Sequence, residues 1–164
     1  VSAQQDARGV LETFAVDMFG DIDLPVDPVR IAQELDINVY TDELDQGVSG
    51  MLIKERGRDA EIYLNRADHK NRQRFTCAHE IGHYIKRTNE SGDLDFAFVD
   101  RRDALASHGT QQDEIYANQF AAELLMPERE VRAKRKQADL TQLSYMFGVS
   151  TEAMKFRLEN LALR

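Results

Sequence analysis

The sequence predicts an α+β fold, mainly helical, with a small three-stranded sheet and a C-terminal pair of helices that resembles a helix-turn-helix. Three observations point there. Apolar residues recur at helical spacing near both ends and through the middle of the chain, three short β-favouring runs fall together within residues 37–64, and Gly148 divides two apolar-patterned stretches. At 164 residues the chain has the size of one domain with a single core. The main unit is expected over residues 1–137, with residues 138–164 packed on the same domain.

Val10, Leu11, Phe14, Ala15 and Met18 share one helical face, and Gly20 is a plausible stop. Asp27 can cap a short helix over residues 28–35, where Pro28 suits the first helical position. Extended structure is expected over residues 37–41, 48–54 and 60–64, separated by polar, Gly-containing turns, as a small antiparallel or mixed sheet. Helical patterning resumes over residues 72–86, 112–125 and 128–136, and then over 140–147 and 151–161 on either side of Gly148. Residues 92–109 form the longest stretch without clear periodicity, and long loops in compact domains are often functional.

Composition narrows the class. With 42% hydrophobic and 30% charged residues, the chain is built as an ordinary globular protein. Cys77 is the only cysteine, so no internal disulfide can form, and no apolar run approaches the roughly 18 residues of a membrane helix. The first residues lack the basic-then-apolar profile of a secretory signal. A cytoplasmic protein without a membrane partner is therefore expected. The net charge of −8 argues against general affinity for nucleic acid, whose phosphates need Lys and Arg. The C-terminal part differs: residues 129–164 hold eight basic against four acidic side chains, a local +4.

The chemistry concentrates in His79-Glu80-Ile81-Gly82-His83. Residues four apart on a helix are neighbours on one face, so the two imidazoles can bind one metal ion. Glu80 lies roughly 100° round from His79, placed to take a proton from a water at the metal. This is the HExxH pattern of zinc peptidases. Ala78, Ile81 and Ile85 form an apolar stripe that would bury the helix. Gly82 costs about 1 kcal/mol inside a helix relative to Ala, so its place between the two His implies close approach by another element.

A catalytic zinc site takes three protein ligands, so a third is needed. His69, His108, Cys77 and Glu114 are candidates. Cys77 sits on another face of the same helix and reads better as a small buried residue. Glu114 opens an apolar-patterned helix, and Asn118, one turn later, could hold a ligand imidazole by its outer nitrogen. On spacing alone, however, Glu114 reads first as a helix-start carboxylate favoured by the helix dipole.

The run Arg72-Gln73-Arg74-Phe75-Thr76-Cys77-Ala78-His79-Glu80-Ile81-Gly82-His83-Tyr84, followed by Glu114-Ile115-Tyr116-Ala117-Asn118-Gln119-Phe120 and on to Pro127, resembles the ImmA/IrrE family of metallopeptidases. The likeness extends to residues 28–39, to Ser49-Gly50-Met51 and to Phe147-Gly148-Val149-Ser150, and so covers most of the chain. It implies a zincin-like fold of the gluzincin type, with Zn2+ held by His79, His83 and Glu114 and with Glu80 as general base. It also implies a substrate class, repressors of the Xre/Cro helix-turn-helix type, whose cleavage or inactivation induces mobile-element or stress-response genes. Some members carry a C-terminal sensor domain; after Leu163 there is no room for one, and regulation of that kind is not expected.

Donors able to stabilise a tetrahedral oxyanion include Tyr84, Tyr116, His108 and Arg74, none of them singled out as catalytic, while Asn118 and Tyr84 are the residues expected to support the ligands. An extended peptide substrate is expected along a strand edge at residues 48–54 or 60–64. Two other classes compete with a peptidase. One is a DNA-binding regulator whose last helix presents Lys155 and Arg157 to a groove. The other is a zinc-binding partner protein without activity, which would have no need of Glu80.

Overall fold

Short polar residues ahead of apolar-patterned stretches start most of the helices in the computed structural model of the protein, which describes residues 1–92, 94–102 and 110–163. Ser2 and Gln5 close a reciprocal capping box at α1 (Ala3–Phe14). Asp27 accepts from the Val29 and Arg30 N–H groups and starts α2 (Pro28–Glu34). The remaining helices are α3 (Lys70–Ser91), α4 (Gln111–Leu125), α5 (Glu128–Arg135), α6 (Leu140–Phe147) and α7 (Thr151–Asn160). Among the described residues no helix is long and apolar enough to cross a membrane.

The sheet has four strands, β1 (Ile37–Asp42), β2 (Val48–Lys54), β3 (Ala60–Asn65) and β4 (Phe96–Arg101), in the order β1-β3-β2-β4. β1 runs parallel to β3, while β2 is antiparallel to both β3 and β4. The α+β class holds, but the expected three-stranded sheet is corrected to four. The extra strand comes from the stretch read as a loop, where Phe96 and Phe98 alternate with Ala97 and Val99. The edges move with it. β2 and β3 are both interior, so neither residues 48–54 nor residues 60–64 offer a free edge to a peptide; among the described residues the edge strands are β1 and β4. Residues 103–109 of the same stretch, His108 included, lie outside the described residues.

The first helix also stops earlier than its apolar spacing implied. Asp17 accepts from the Phe19 and Asp21 N–H groups at 2.8 and 3.0 Å, which stabilises a turn in place of another helical turn. Met18 consequently leaves the helical face and stands 90% exposed.

One face of α3 packs on the sheet and another on α4. Its central residues, Thr76 through His83, are all buried. Gly50 in β2 makes the first contact possible, because a Cβ there would stand 2.5 Å from Thr76 Cγ2 and 2.9 Å from the Tyr63 carbonyl oxygen. Gly82 does the same for the second: a Cβ would meet Ala117 Cα and Phe120 Cβ, each at 3.1 Å. The approach inferred from Gly82 is thus made by α4. Residues of α6 and α7, among them Leu143, Phe147, Met154 and Leu158, enter the same apolar cluster as α3 and α4. Arg74 of α3 ties this helix pair down, donating through Nε to the Gly148 carbonyl at 3.0 Å.

Candidate metal centre

α3 and α4 run antiparallel, so residues ascending one helix meet residues descending the other: His79 faces Asn118, and His83 faces Glu114. Three ligand groups converge as a result. His79 Nε2 lies 3.1 Å from Glu114 Oε2, His83 Nε2 lies 3.1 Å from Glu114 Oε1, and the two Nε2 atoms are 3.1 Å apart. Ligand atoms bound about 2.0–2.1 Å from one tetrahedral ion would stand about 3.3 Å from each other. The trio therefore already has nearly the spacing of a shared ion.

The tautomers agree with that geometry. Asn118 Oδ1 is 2.9 Å from His79 Nδ1 and accepts its proton, which leaves the Nε2 lone pair aimed into the trio. His83 is held differently, by stacking. Its ring lies on Phe98 of β4 with centroids 4.1 Å apart and an 11° angle between planes, and Phe98 in turn lies under the Arg87 guanidinium. With both Nε2 atoms deprotonated, two imidazole lone pairs and a carboxylate meet at one point, a set of acceptors that a divalent cation satisfies in place of the protons. His79, His83 and Glu114 could hold a metal ion.

Burial opposes charge on His79, but the hydrogen bond to Glu114 and the carboxylates of Glu80 and Asp100 outweigh it and raise its pKa to about 9. Burial lowers His83. Glu114 is also partly desolvated, yet the two imidazoles bring its carboxyl down to about 2. Glu80 goes the other way. Burial pushes it up to about 8, against the pull of His79 and with reinforcement from Asp100 and Glu114. Its two carboxylate oxygens are fully buried and have no hydrogen-bond partner among the described residues. An acidic group of this kind beside a metal site has the chemistry of a proton acceptor.

Asp100 was not foreseen. It stands on β4, where its carboxylate shares a 4.8 Å cluster with His79 and Glu80, and Arg72 lies 4.0 Å from it. The signal that could have found it is the alternation that marks β4, since the strand's register on β2 sets Asp100 opposite Gly50.

The other candidates make the following contacts. His69 caps α3, accepting from the Asn71 N–H at 3.0 Å. Cys77 is fully buried, as expected, and burial pushes its thiol pKa up. Tyr84 packs its ring toward Phe96, with centroids 6.5 Å apart. Tyr116 donates its hydroxyl to Asp6, and Arg74 is engaged with the Gly148 and Val26 carbonyls. The expectation that Arg157 is exposed is corrected: it is 7% exposed, bonded to Glu123 and to the Met126 carbonyl. The largest described cavity, about 1090 Å³ between the start of α3 and α6, includes none of His79, Glu80, His83 or Glu114.

A family model described as the IrrE N-terminal-like domain, Peptidase_M78, matches residues 32–159, more than three quarters of the chain. The chain belongs to this family. The match spans both helices of the trio and all four strands. As a member of Peptidase_M78, the protein has a peptidase-type metal site as its expected centre, and the family resemblance drawn from the two sequence runs is borne out. No curated protein matches the chain.

Proposed function

We propose that the protein is a zinc-dependent endopeptidase, with His79, His83 and Glu114 as the ligands and Glu80 as general base. The observation that carries this reading is the convergence of three ligand groups, with nearest N and O atoms 3.1 Å apart, beside a buried carboxylate that has no hydrogen-bond partner among the described residues. Two imidazoles and a Glu form a known donor set of catalytic zinc sites. A zinc ion held there supplies a Lewis acid that acidifies a water and polarises a peptide carbonyl.

The chain's own residues do the rest. Asn118 holds the His79 tautomer, and Phe98 fixes the plane of the His83 ring. Glu80 accepts a proton from the attacking water and returns it to the leaving amine. The substrate backbone lies extended along β4, which has β2 as its one strand partner among the described residues and which brings Asp100 beside Glu80.

The proposed substrate is a repressor of the Xre/Cro type, as the resemblance of the two sequence runs implies, and its loss would induce mobile-element or stress-response genes. The rival DNA-binding reading loses one of its two basic contacts, because Arg157 is engaged inside the protein.

The test is co-expression with the Xre/Cro-type repressors of the same genome. Wild type is expected to cleave one of them, and Glu80→Gln to keep one zinc per chain while leaving it intact. Cleavage by Glu80→Gln at the wild-type rate would remove Glu80 as the base. Zinc binding by both proteins with no cleavage by either would favour the non-catalytic partner reading.

A further inference from the structure

The three groups of the metal site are not equally secured by the helices that carry them. His79 and His83 stand in the interior of α3, within the run from Thr76 to His83 that is buried throughout. Glu114 stands at the start of α4, where its own N–H, bonded to the Thr110 carbonyl at 3.1 Å, closes the first turn. Helix ends are where backbone hydrogen bonds open most readily. A ligand carboxylate placed there depends on support from outside its own helix.

Asp113, the residue before Glu114, receives that support. Its buried side chain accepts the Thr110 N–H through Oδ2 at 3.1 Å, while its own N–H donates to Thr110 Oγ1 at 3.1 Å, the two halves of a capping box. The other contacts come from α3. Lys86 Nζ donates to Oδ1 at 2.8 Å, and the Arg87 guanidinium lies 3.6 Å from Oδ2. These two cations follow His83 by three and four residues, so they stand one turn beyond it on α3. The turn next to one ligand thus grips the residue next to another. Arg87 also reaches His83 itself, because its guanidinium carbon is 5.4 Å from the centroid of the Phe98 ring that stacks on that imidazole. Lys86 is steadied in turn by Glu90 at 2.8 Å. None of Asp113, Lys86 and Arg87 belongs to the residues whose atoms could hold the ion, so they act on the site through those that do.

We propose that Asp113 is a positioning residue of the metal site: held by Lys86 and Arg87, it fixes the first turn of α4 so that Glu114 meets the two imidazoles. The proposal rests on the reading of His79, His83 and Glu114 as metal ligands. Charge-assisted contacts at a buried carboxylate are stronger than neutral ones, which suits them to holding a helix end in one place. Their effect falls on Glu114 before the others, since the two His are already fixed by the interior of α3.

Zinc affinity, measured by competition against a chromophoric chelator, tests this in two backgrounds: with Glu114 present, and in Glu114→Ala, where His79 and His83 remain. Asp113→Asn keeps an oxygen for the Thr110 N–H and removes the charge that holds the α3 cations. Lys86→Met removes the nearer of those cations at a side chain that is 20% exposed. With Glu114 present, Asp113→Asn is expected to weaken zinc binding at least about tenfold, and Lys86→Met by a smaller factor in the same direction. In the Glu114→Ala background neither should weaken it further, because the effect passes through Glu114. Cobalt-loaded Asp113→Asn should also lose the intense visible bands of tetrahedral Co2+ expected of wild type, a signature that a general loss of stability would not move. If Asp113→Asn binds zinc as tightly as wild type, or weakens it equally in both backgrounds, Asp113 does not position Glu114, and the ligand reading stands. Should Asp113→Asn fail to fold, the same two comparisons made on Lys86→Met decide the matter. If the wild-type chain binds neither zinc nor cobalt, the ligand reading falls and the proposal with it.

Discussion

Of the carboxylates on helix α4 that bridge two nitrogen-bearing side chains, Glu123 and Glu114 differ in the kind of partner each has. Glu123 is 2% exposed and bonds Arg157 and Arg8, whose guanidinium charges are permanent. Glu114 is 23% exposed and meets two imidazoles whose lone pairs point inward with it. Fixed cations complete the first site within the chain, and it ties α1 and α7 to α4. The second, as a metal site, is completed by a cation from outside. Reading which partner can give up its proton separates a structural carboxylate from a ligand carboxylate, even on the same helix.

The largest expected effect comes from breaking the first site. Glu123→Ala leaves the Arg157 guanidinium, 8% exposed, buried without its counter-charge. Removing one partner of a buried pair typically costs about 3–5 kcal/mol, and urea unfolding should show a loss of that size. Glu114→Ala is expected to lose stoichiometric zinc by metal analysis and, because Glu114 is 23% exposed and its partners are imidazoles that can shed their protons, to cost the metal-free protein less than Glu123→Ala does. Equal stability losses in the two variants would erase the distinction between them.

A smaller effect sharpens the ligand site. Asn118→Ala frees the His79 ring to change tautomer, and loss of such an orienting partner costs about 10–100-fold in metal affinity. Competition against a chromophoric chelator measures it. Because the Asn118 side chain lies at the surface, the unfolding midpoint should stay within about 0.5 kcal/mol of wild type. If zinc affinity is unchanged, the 2.9 Å contact does not orient the ligand.

The same contrast explains what could be read from the sequence. His79, Glu80 and His83 are one helical turn, so local periodicity suffices to place them on adjoining faces, and Gly82 signals the neighbouring helix before that helix is known. Glu114 is different. Its partners lie more than thirty residues away, and its spacing is equally that of a helix-start carboxylate, so only the likeness of two runs to a family singled it out. Arg157 looked like a surface charge because nothing within its own helix announces Glu123. β4 went unread because six residues of alternation sit in an otherwise aperiodic stretch, and with it were lost Asp100, the stacking of Phe98 on His83 and the true sheet edge. What the chain does locally was legible. What it does by pairing distant segments was not.

The smallest effect tests whether burial divides the two carboxylate sites. Glu128 also pairs with arginines, bonding Arg132 and Arg8, but its side chain is 32% exposed. The Arg132 hydrogen bond, opposed by slight desolvation, holds its carboxyl below the usual range. A lowered folded-state pKa means that the unfolded chain binds the proton more readily. The stabilisation is therefore complete above the ordinary Glu value of about 4.3 and is lost as pH falls through the lower folded-state value. Solvent screening at this exposure limits it to about 0.5 kcal/mol. Urea midpoints measured from about pH 6 down to 3 should show a slightly shallower acid decline in Glu128→Gln than in wild type. Burial, rather than the number of arginines, sets the cost if this loss stays several-fold below that of Glu123→Ala; a comparable loss in both would mean that the guanidinium network acts as one unit regardless of depth.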